Sequence, residues 1–341
     1  TINGQPEIVS VSPASPTVCE GGSILITASL SDDYVKATPI TYEWKWTDNG
    51  VEHTVTNTIG QLTMTPSETV NVSVSAVDKN GCESSAPYQF TVTVNKKPLF
   101  SLEGTDGCDG GTISIECKSE DGLSHEYFVT PISGAPAGTL SGGVYTVNLS
   151  PASLSSSIVY EYSVRAVSGL GCEDTKTIKL TVNPLPSATL KSDKSTYCMG
   201  ETVQFTVTDP QSNFEYSWDG GVSYTANTKF IGTATTEGNQ VFTVYVRNKE
   251  TGCVNTAQVT FAVKALPEVT ITASDSEICE GSSTTLTANA NTDVTYEWSN
   301  GETSSMINTG DLTANKTFTV IVTDKLTSCS AEVSQIGRAH V

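Results

Sequence analysis

The segment Val70-Asn-Val-Ser-Val-Ser-Ala-Val77 decides the fold, because apolar and polar residues alternate along most of its length. A strand with one face buried and the other in water has this period of two. The segments Phe90-Thr-Val-Thr-Val94 and Phe242-Thr-Val-Tyr-Val246 show the same alternation. The turn Asn80-Gly-Cys82 separates the first two segments, so we expect a hairpin across it. With 14 prolines and only 3 methionines in 341 residues, these patterns predict an all-β protein.

Two sets of cysteines recur along the chain and reveal an internal repeat. The first set precedes an acidic or glycine-rich turn and comprises Cys19, Cys108, Cys198 and Cys279. The second set follows a turn in each repeat and comprises Cys82, Cys172, Cys253 and Cys329. Proline-bearing junctions separate the repeats. We therefore predict four domains, at residues 1–95, 96–183, 184–265 and 266–341, each of a size normal for a β-sandwich.

A tryptophan recurs in the strand that follows the first inward-facing strand of a repeat. Trp44, Trp218 and Trp298 each lie two residues after a tyrosine, and therefore on the same strand face as that tyrosine. We expect these three side chains to fill the centres of their sandwiches. The second repeat has Val129 at the equivalent position.

The order of strands and cysteines resembles the immunoglobulin-like sandwich. The repeats look like the tandem Ig-like or PKD-like modules of secreted Bacteroidota surface proteins and gliding-type adhesins. The segments Tyr296-Glu-Trp-Ser-Asn-Gly-Glu-Thr303 and Phe318-Thr-Val-Ile-Val-Thr-Asp324 carry most of this resemblance. The PKD signature Trp-Asp-Phe-Gly-Asp-Gly is absent, so the Ig-like description fits better. We expect four tandem immunoglobulin-like β-sandwich domains in an extended rod.

An up-and-down count of strands places both cysteines of a repeat at the same end of its sandwich. Spacing alone does not fix the connectivity, but one pair per repeat respects the period. The predicted pairs are Cys19–Cys82, Cys108–Cys172, Cys198–Cys253 and Cys279–Cys329. A zinc site is the alternative, but Cys-x-x-Cys motifs are absent. Disulfides predict an extracellular or cell-surface location, and closing such loops adds about 4 kcal/mol, so reduction should lower the melting temperature sharply.

Cys117 is left over from the eight paired cysteines. Its position in the repeat matches Ala28, Val207 and Ala288 on an inward strand face. We therefore predict a buried free thiol that packs as a small apolar side chain. An intermolecular cross-link or a reactive thiol is the alternative interpretation.

Charge and composition exclude several classes of function. The chain has 37 acidic and 18 basic residues, a formal net charge of −19, which argues against a nucleic-acid partner. It contains no run of 18 apolar residues, so we expect no membrane insertion. Only three histidines and no hydrolase motif are present, which argues against an enzyme. We expect no cofactor; acidic loops leave Ca²⁺ open, although an Asp-x-Asp-x-Asp-Gly loop is absent.

These features together predict a non-enzymatic extracellular structural protein, either the stalk of a surface adhesin or the subunit of an extracellular filament. Its expected partners are further copies of itself or surface glycans and proteins. The alternative function is a glycan-binding module array of a secreted enzyme. The final hexapeptide, Ile336-Gly-Arg-Ala-His-Val341, resembles a translated sequencing adapter, so we expect the last strand of the fourth domain to be truncated or replaced.

Overall fold

A computed structural model describes residues 4–32, 34 and 38–340, with the backbone only for residues 338–340. Every regular element in these residues is a β-strand. The chain forms two compact units, Thr1–Pro184 and Leu185–Val341, and each unit contains two β-sandwiches. Within the described residues, no helix is long and apolar enough to cross a membrane.

The first sandwich consists of a three-stranded and a five-stranded sheet. Its strands are β1 (Ile8–Ser12), β2 (Thr17–Cys19), β3 (Ile24–Leu30), β4 (Thr41–Asp48), β5 (Val51–Asn57), β6 (Gln61–Met64), β7 (Val70–Val77) and β8 (Tyr88–Asn95). The smaller sheet has the order β1-β3-β6, and the larger sheet has the order β2-β8-β7-β4-β5.

The second sandwich consists of two four-stranded sheets. Its strands are β9 (Phe100–Thr105), β10 (Gly107–Cys108), β11 (Thr112–Ser119), β12 (His125–Ile132), β13 (Thr139–Ser141), β14 (Val144–Asn148), β15 (Ile158–Ser168) and β16 (Glu173–Asn183). The sheet orders are β13-β14-β11-β9 and β10-β16-β15-β12.

The third and fourth sandwiches share one plan, a three-stranded sheet facing a four-stranded sheet. The strands of the third are β17 (Leu190–Ser192), β18 (Thr196–Cys198), β19 (Thr202–Val207), β20 (Phe214–Ser217), β21 (Lys229–Thr233), β22 (Gly238–Asn248) and β23 (Val254–Lys264). Those of the fourth are β24 (Val269–Ala273), β25 (Glu277–Cys279), β26 (Thr285–Ala290), β27 (Val294–Trp298), β28 (Met306–Asn308), β29 (Lys316–Asp324) and β30 (Ser330–His340). The sheet orders are β17-β19-β21 with β18-β23-β22-β20, and β24-β26-β28 with β25-β30-β29-β27.

One topological feature recurs in all four sandwiches and positions the cysteines. The first strand is split, and its short second half crosses to the other sheet, where it runs parallel to the last strand. The parallel pairs are β2 with β8, β10 with β16, β18 with β23, and β25 with β30. Because the two strands run in the same direction, the short strand ends where the last strand ends.

Each sandwich has its own apolar core, and the predicted tryptophans differ in how far they enter it. Trp44 and Trp298 are 0% and 2% exposed, as predicted. Trp218 is only half-buried, which corrects the prediction for the third sandwich. The reason is that β20 ends at Ser217, so Trp218 lies beyond the strand, where its indole N–H donates to the carbonyl of Asn227 at 3.0 Å.

The last strand of the fourth sandwich extends into the final hexapeptide. It spans Ser330–His340, eleven residues, the same length as β16 and β23. The backbone pairs with β29 as far as Gly337. Ladder hydrogen bonds need main-chain groups and not particular side chains, so this pairing is compatible with a replaced strand, and the expected truncation or replacement stays a prediction.

Candidate functional site

The two cysteine sets lie at opposite ends of each sandwich. Members of the first set close the short parallel strand beside the end of the last strand; Cys108, for example, is paired with Asn183. We call them exit cysteines. Members of the second set lie in the hairpin turn that begins the last strand, and we call them hairpin cysteines. In the second sandwich the eleven residues of β16 separate the two positions, about 35 Å at the rise of a strand.

Disulfides therefore join successive sandwiches. Cys19 is bonded to Cys172, with a Cα–Cα distance of 5.5 Å and a sequence separation of 153 residues. Cys198 is bonded to Cys329, with a Cα–Cα distance of 5.6 Å and a separation of 131 residues. Each bond links the exit cysteine of one sandwich to the hairpin cysteine of the next. Cys108 and Cys253 are disulfide-bonded as well.

All four predicted pairings are wrong. Cys82 and Cys279 are free thiols, which excludes the Cys19–Cys82 and Cys279–Cys329 bonds. The Cys108–Cys172 and Cys198–Cys253 bonds are excluded because Cys172 and Cys198 have other partners. The prediction is wrong because the second and sixth strands of an alternating series run in the same direction. The start of the second strand and the end of the sixth therefore lie at opposite ends of the sandwich. A disulfide tolerates a Cα–Cα distance of at most about 7 Å.

The hairpin turns share one hydrogen bond in all four repeats. The residue at the start of the turn donates its N–H to the carbonyl of the hairpin cysteine, at 2.8–3.0 Å. These donor and acceptor pairs are Asp78 and Cys82, Ser168 and Cys172, Asn248 and Cys253, and Asp324 and Cys329. The residue before the cysteine has a positive φ in every repeat: Gly81, Gly171, Gly252 and Ser328. Each repeat thus presents its hairpin cysteine at the same closing hydrogen bond, in a turn that is one residue longer in the third and fourth repeats than in the first and second.

The exit turns are equally uniform. The carbonyl of each exit cysteine accepts a hydrogen bond from the N–H three residues later, at 2.7–3.0 Å. The donors are Gly22, Gly111, Glu201 and Ser282. A glycine with positive φ lies at the third position of each turn, as expected for a type II turn: Gly21, Gly110, Gly200 and Gly281. The glycine-rich motif after the first cysteine of each repeat therefore encodes this type II turn.

The joint between the first and second sandwiches brings three points of the chain together. Asn95 ends β8 beside Cys19, and its carbonyl oxygen lies 3.7 Å from Cys172 Sγ. The following linker contacts the second sandwich through the N–H of Leu99, which donates to the Asp121 carboxylate at 3.2 Å. The Leu99 side chain itself is 53% exposed, so apolar packing of this leucine contributes little to the joint. The disulfide is a covalent side-chain link at this joint.

Asp121 organises the loop of the second sandwich that faces this joint. Its carboxylate accepts a hydrogen bond from the N–H of Leu123 at 3.0 Å and contacts Nε2 of His125 at 2.9 Å. These hydrogen bonds, that from Leu123 first, hold the pKa of Asp121 well below its usual range. The His125 ring is fully buried, and its Nδ1 has no hydrogen-bond partner within the described residues.

Cys117 is a free thiol, 7% exposed, in the core of the second sandwich, which matches its prediction as a buried apolar side chain. Burial raises the pKa of this thiol to about 11. The adjacent Lys118 carries a charge, but its ammonium group lies 2.6 Å from the Glu103 carboxylate at the surface. Since the thiolate is the reactive form, the raised pKa and the burial both disfavour reaction of Cys117 in the folded protein.

Other candidate chemistry is sparse in the described part of the chain. No group of three or more His, Cys, Asp or Glu side chains there is placed to hold a metal ion. Trp46 stacks on His53 with ring centroids 4.9 Å apart, in an open polar groove on the larger sheet of the first sandwich. This stacked pair is one candidate for the aromatic platform that a glycan-binding array requires.

Comparison with known proteins concerns the fold alone. The strand order, with a split first strand shared between two facing sheets, recurs in every repeat. The four repeats are immunoglobulin-like sandwiches. An ICAM-5 ectodomain fragment is 14% identical over 97% of this chain and 98% of that chain, with a TM-score of 0.36. The N-terminal four Ig domains of Dscam1 isoform 6.9 are 11% identical over 99% and 100%, with a TM-score of 0.24.

Sidekick-1 immunoglobulin domains 1–5 are also similar, at 12% identity over 98% of this chain and 79% of that chain, with a TM-score of 0.21. No family model matches the chain, and no curated protein is similar to it.

Proposed function

We propose that this chain is a non-enzymatic structural segment of an extracellular or cell-surface protein, acting as the load-bearing stalk of an adhesin or as the subunit of an extracellular filament. The observation that carries the proposal is the pair of disulfides that join successive immunoglobulin-like sandwiches. Disulfides persist in oxidising compartments, which supports a location outside the cytosol.

The bonds define the path that a pulling force takes through the chain. A load applied at the two ends passes from Cys19 directly to Cys172 and from Cys198 directly to Cys329. Residues 20–171 and 199–328 are bypassed, so most of each core lies outside the loaded path. Only residues 1–19, 172–198 and 329–341 can be drawn out before a covalent bond breaks. A segment built in this way resists extension even when its individual sandwiches are of modest stability.

Single-molecule stretching between the two chain ends tests this function. The oxidised chain should extend little, because the bypassed residues cannot lengthen. Full reduction should release them and add length on the order of 1,000 Å, at about 3.5 Å per residue. A Cys117→Ala variant is the matched control, since Cys117 takes part in no bond. Extension of the oxidised chain to the same length as the reduced chain would contradict a load-bearing role.

A further inference from the structure

We propose that Cys279 and Cys82 are the two halves of one more inter-sandwich bond, through which a second copy of this chain is joined head to tail. The exit end of the fourth sandwich of one copy would then meet the hairpin end of the first sandwich of the next. This inference deepens the proposed structural function and rests on it, because it makes the chain a covalently assembling subunit.

Cys279 lies in the same structural setting as the exit cysteines that are bonded. It closes β25 and is paired with His340 at the end of the last strand, as Cys19 is paired with Asn95. Its carbonyl accepts the N–H of Ser282 at 3.0 Å, the exit-turn hydrogen bond found in every repeat. The position that binds a hairpin cysteine in the earlier sandwiches is therefore fully formed.

Cys82 lies in the corresponding setting for a hairpin cysteine. Its carbonyl accepts the N–H of Asp78 at 3.0 Å. The hairpin is also tied to the chain that leads into its sandwich, since the Ser84 hydroxyl donates to the carbonyl of Pro6 at 2.9 Å. The third sandwich has the same contact, from the Asn255 side chain to the carbonyl of Pro186, and there the hairpin cysteine is disulfide-bonded.

Exposure distinguishes the free members of the two sets from the bonded ones. The bonded hairpin cysteines Cys172, Cys253 and Cys329 are 0%, 1% and 0% exposed, whereas Cys82 is half-buried. The bonded exit cysteines are half-buried, whereas Cys279 is exposed. Each free thiol is thus accessible to a bonding partner, and Cys117, the remaining free thiol, is not.

The complementarity of the two ends selects a head-to-tail contact over a symmetric one. Both bonds resolved between successive sandwiches join an exit cysteine to a hairpin cysteine, and neither joins two of the same kind. A head-to-tail contact does not close on itself by a two-fold axis, so repetition gives an open filament or a closed ring of several copies.

The bond forms by thiol–disulfide exchange with a small-molecule disulfide such as oxidised glutathione. The Cys279 thiolate attacks one glutathione sulfur and releases the first glutathione thiolate, which takes up the proton that Cys279 lost. The Cys82 thiolate of the second copy then attacks the Cys279 sulfur of this mixed disulfide and releases the second glutathione thiolate, which takes up the proton that Cys82 lost. Two cysteines are oxidised, and one molecule of oxidised glutathione is reduced to two molecules of glutathione.

A mixing experiment with two single variants tests the assembly. In a glutathione redox buffer, the natural chain should form a ladder of reducible multimers, and mass spectrometry should find a peptide that links Cys279 to Cys82. Cys82→Ser alone and Cys279→Ser alone should each remain monomeric. Their mixture should form a dimer and nothing larger, since each variant supplies one half of the bond. The Cys117→Ala variant should form the same ladder as the natural chain.

Two outcomes would overturn the inference. If the natural chain remains monomeric at concentrations where glutathione has modified Cys279, head-to-tail bonding does not occur. If Cys82→Ser alone forms dimers, the contact is a symmetric one through Cys279. Neither outcome touches the stretching experiment, which depends on the internal bonds, so the inference and the proposed function fail separately.

Discussion

The residue before the hairpin cysteine has a positive φ in all four repeats, but in the fourth repeat it is a serine. Ser328 has a φ of 62°, a region in which a Cβ atom is disfavoured by about 1 kcal/mol or more. At the equivalent Gly81, Gly171 and Gly252, an added Cβ atom would meet no atom within 4 Å. The cost of a side chain here is therefore conformational and not steric.

We expect Ser328→Gly to stabilise the fourth sandwich by about 0.5–1 kcal/mol, because relief of the backbone conformation outweighs the added freedom of the unfolded chain. Gly252→Ser in the third sandwich is the matched control and should destabilise that sandwich by a similar amount. Differential scanning calorimetry measures both. Equal melting temperatures for the natural chain and both variants would show that this position is not strained.

At the level of the element, the hairpin that carries Cys329 is held by a carboxylate. Asp324 is 9% exposed, and its Oδ1 accepts hydrogen bonds from the N–H groups of Leu326 and Thr327 at 2.9 and 2.8 Å. These hydrogen bonds, that from Thr327 first, lower the pKa of Asp324 below its ordinary value. The third sandwich has Asn248 at this place, and its side-chain oxygen accepts the N–H of Glu250 at 2.9 Å without a titrating group.

This carboxylate predicts a pH dependence of the hairpin that carries Cys329. Asp78, whose pKa is also lowered, first by the hydrogen bond from the N–H of Cys82, predicts the same for the hairpin that carries Cys82. A lowered folded-state pKa means that the stabilisation is complete above about pH 4, the pKa in the unfolded chain, and is lost as the pH falls through the folded-state value. Hydrogen exchange at the amides of Leu326 and Thr327 should therefore lose protection in acid. Asp324→Asn should remove this dependence while keeping an acceptor. Persistence of the acid response in the variant would assign it to another group.

Most elements could be predicted from the sequence because they depend on local patterns. The alternation of apolar and polar residues predicted strands such as Val70–Val77, and the glycines after the exit cysteines predicted the turns there. The half-burial of Trp218 could not be predicted, because alternation does not show that the strand ends at Ser217. The split of the first strand between two sheets was also missed, because the pairing of β2 with β8 joins residues about 76 positions apart, beyond any local pattern.

At the scale of the molecule, the disulfide connectivity was the principal error and changes what the bonds do. The bond between Cys19 and Cys172 closes one covalent loop with a sequence separation of 153 residues, which contains the first two sandwiches. Closing such a loop contributes about 5 kcal/mol in the chain-entropy model. Asn95, between the two sandwiches, lies beside both cysteines, so a folded sandwich on one side lets the bond hold the two ends of the other sandwich together. The bond therefore stabilises both of its neighbours while either one remains folded.

Replacing the bond should accordingly lower the stability of two sandwiches and spare the other two. In the double variant Cys19→Ser, Cys172→Ser, we expect the calorimetric transitions of the first and second sandwiches to fall by about 15 °C. Those of the third and fourth should stay where they are. Cys279→Ser, which removes a free thiol, is the control and should leave all transitions in place. A uniform shift of all four would mean that the sandwiches unfold as one cooperative block.

The connectivity also dictates the order of events during biosynthesis. In an unfolded chain Cys19 is 63 residues from Cys82 and 153 residues from Cys172, and loop closure favours the nearer partner by about 0.8 kcal/mol, roughly fourfold. Oxidation of a nascent, unstructured chain would thus trap the wrong bond. Folding of a sandwich removes that choice by holding its two cysteines at opposite ends. Each bond can then close only after the following sandwich has folded, so oxidation proceeds one repeat behind folding.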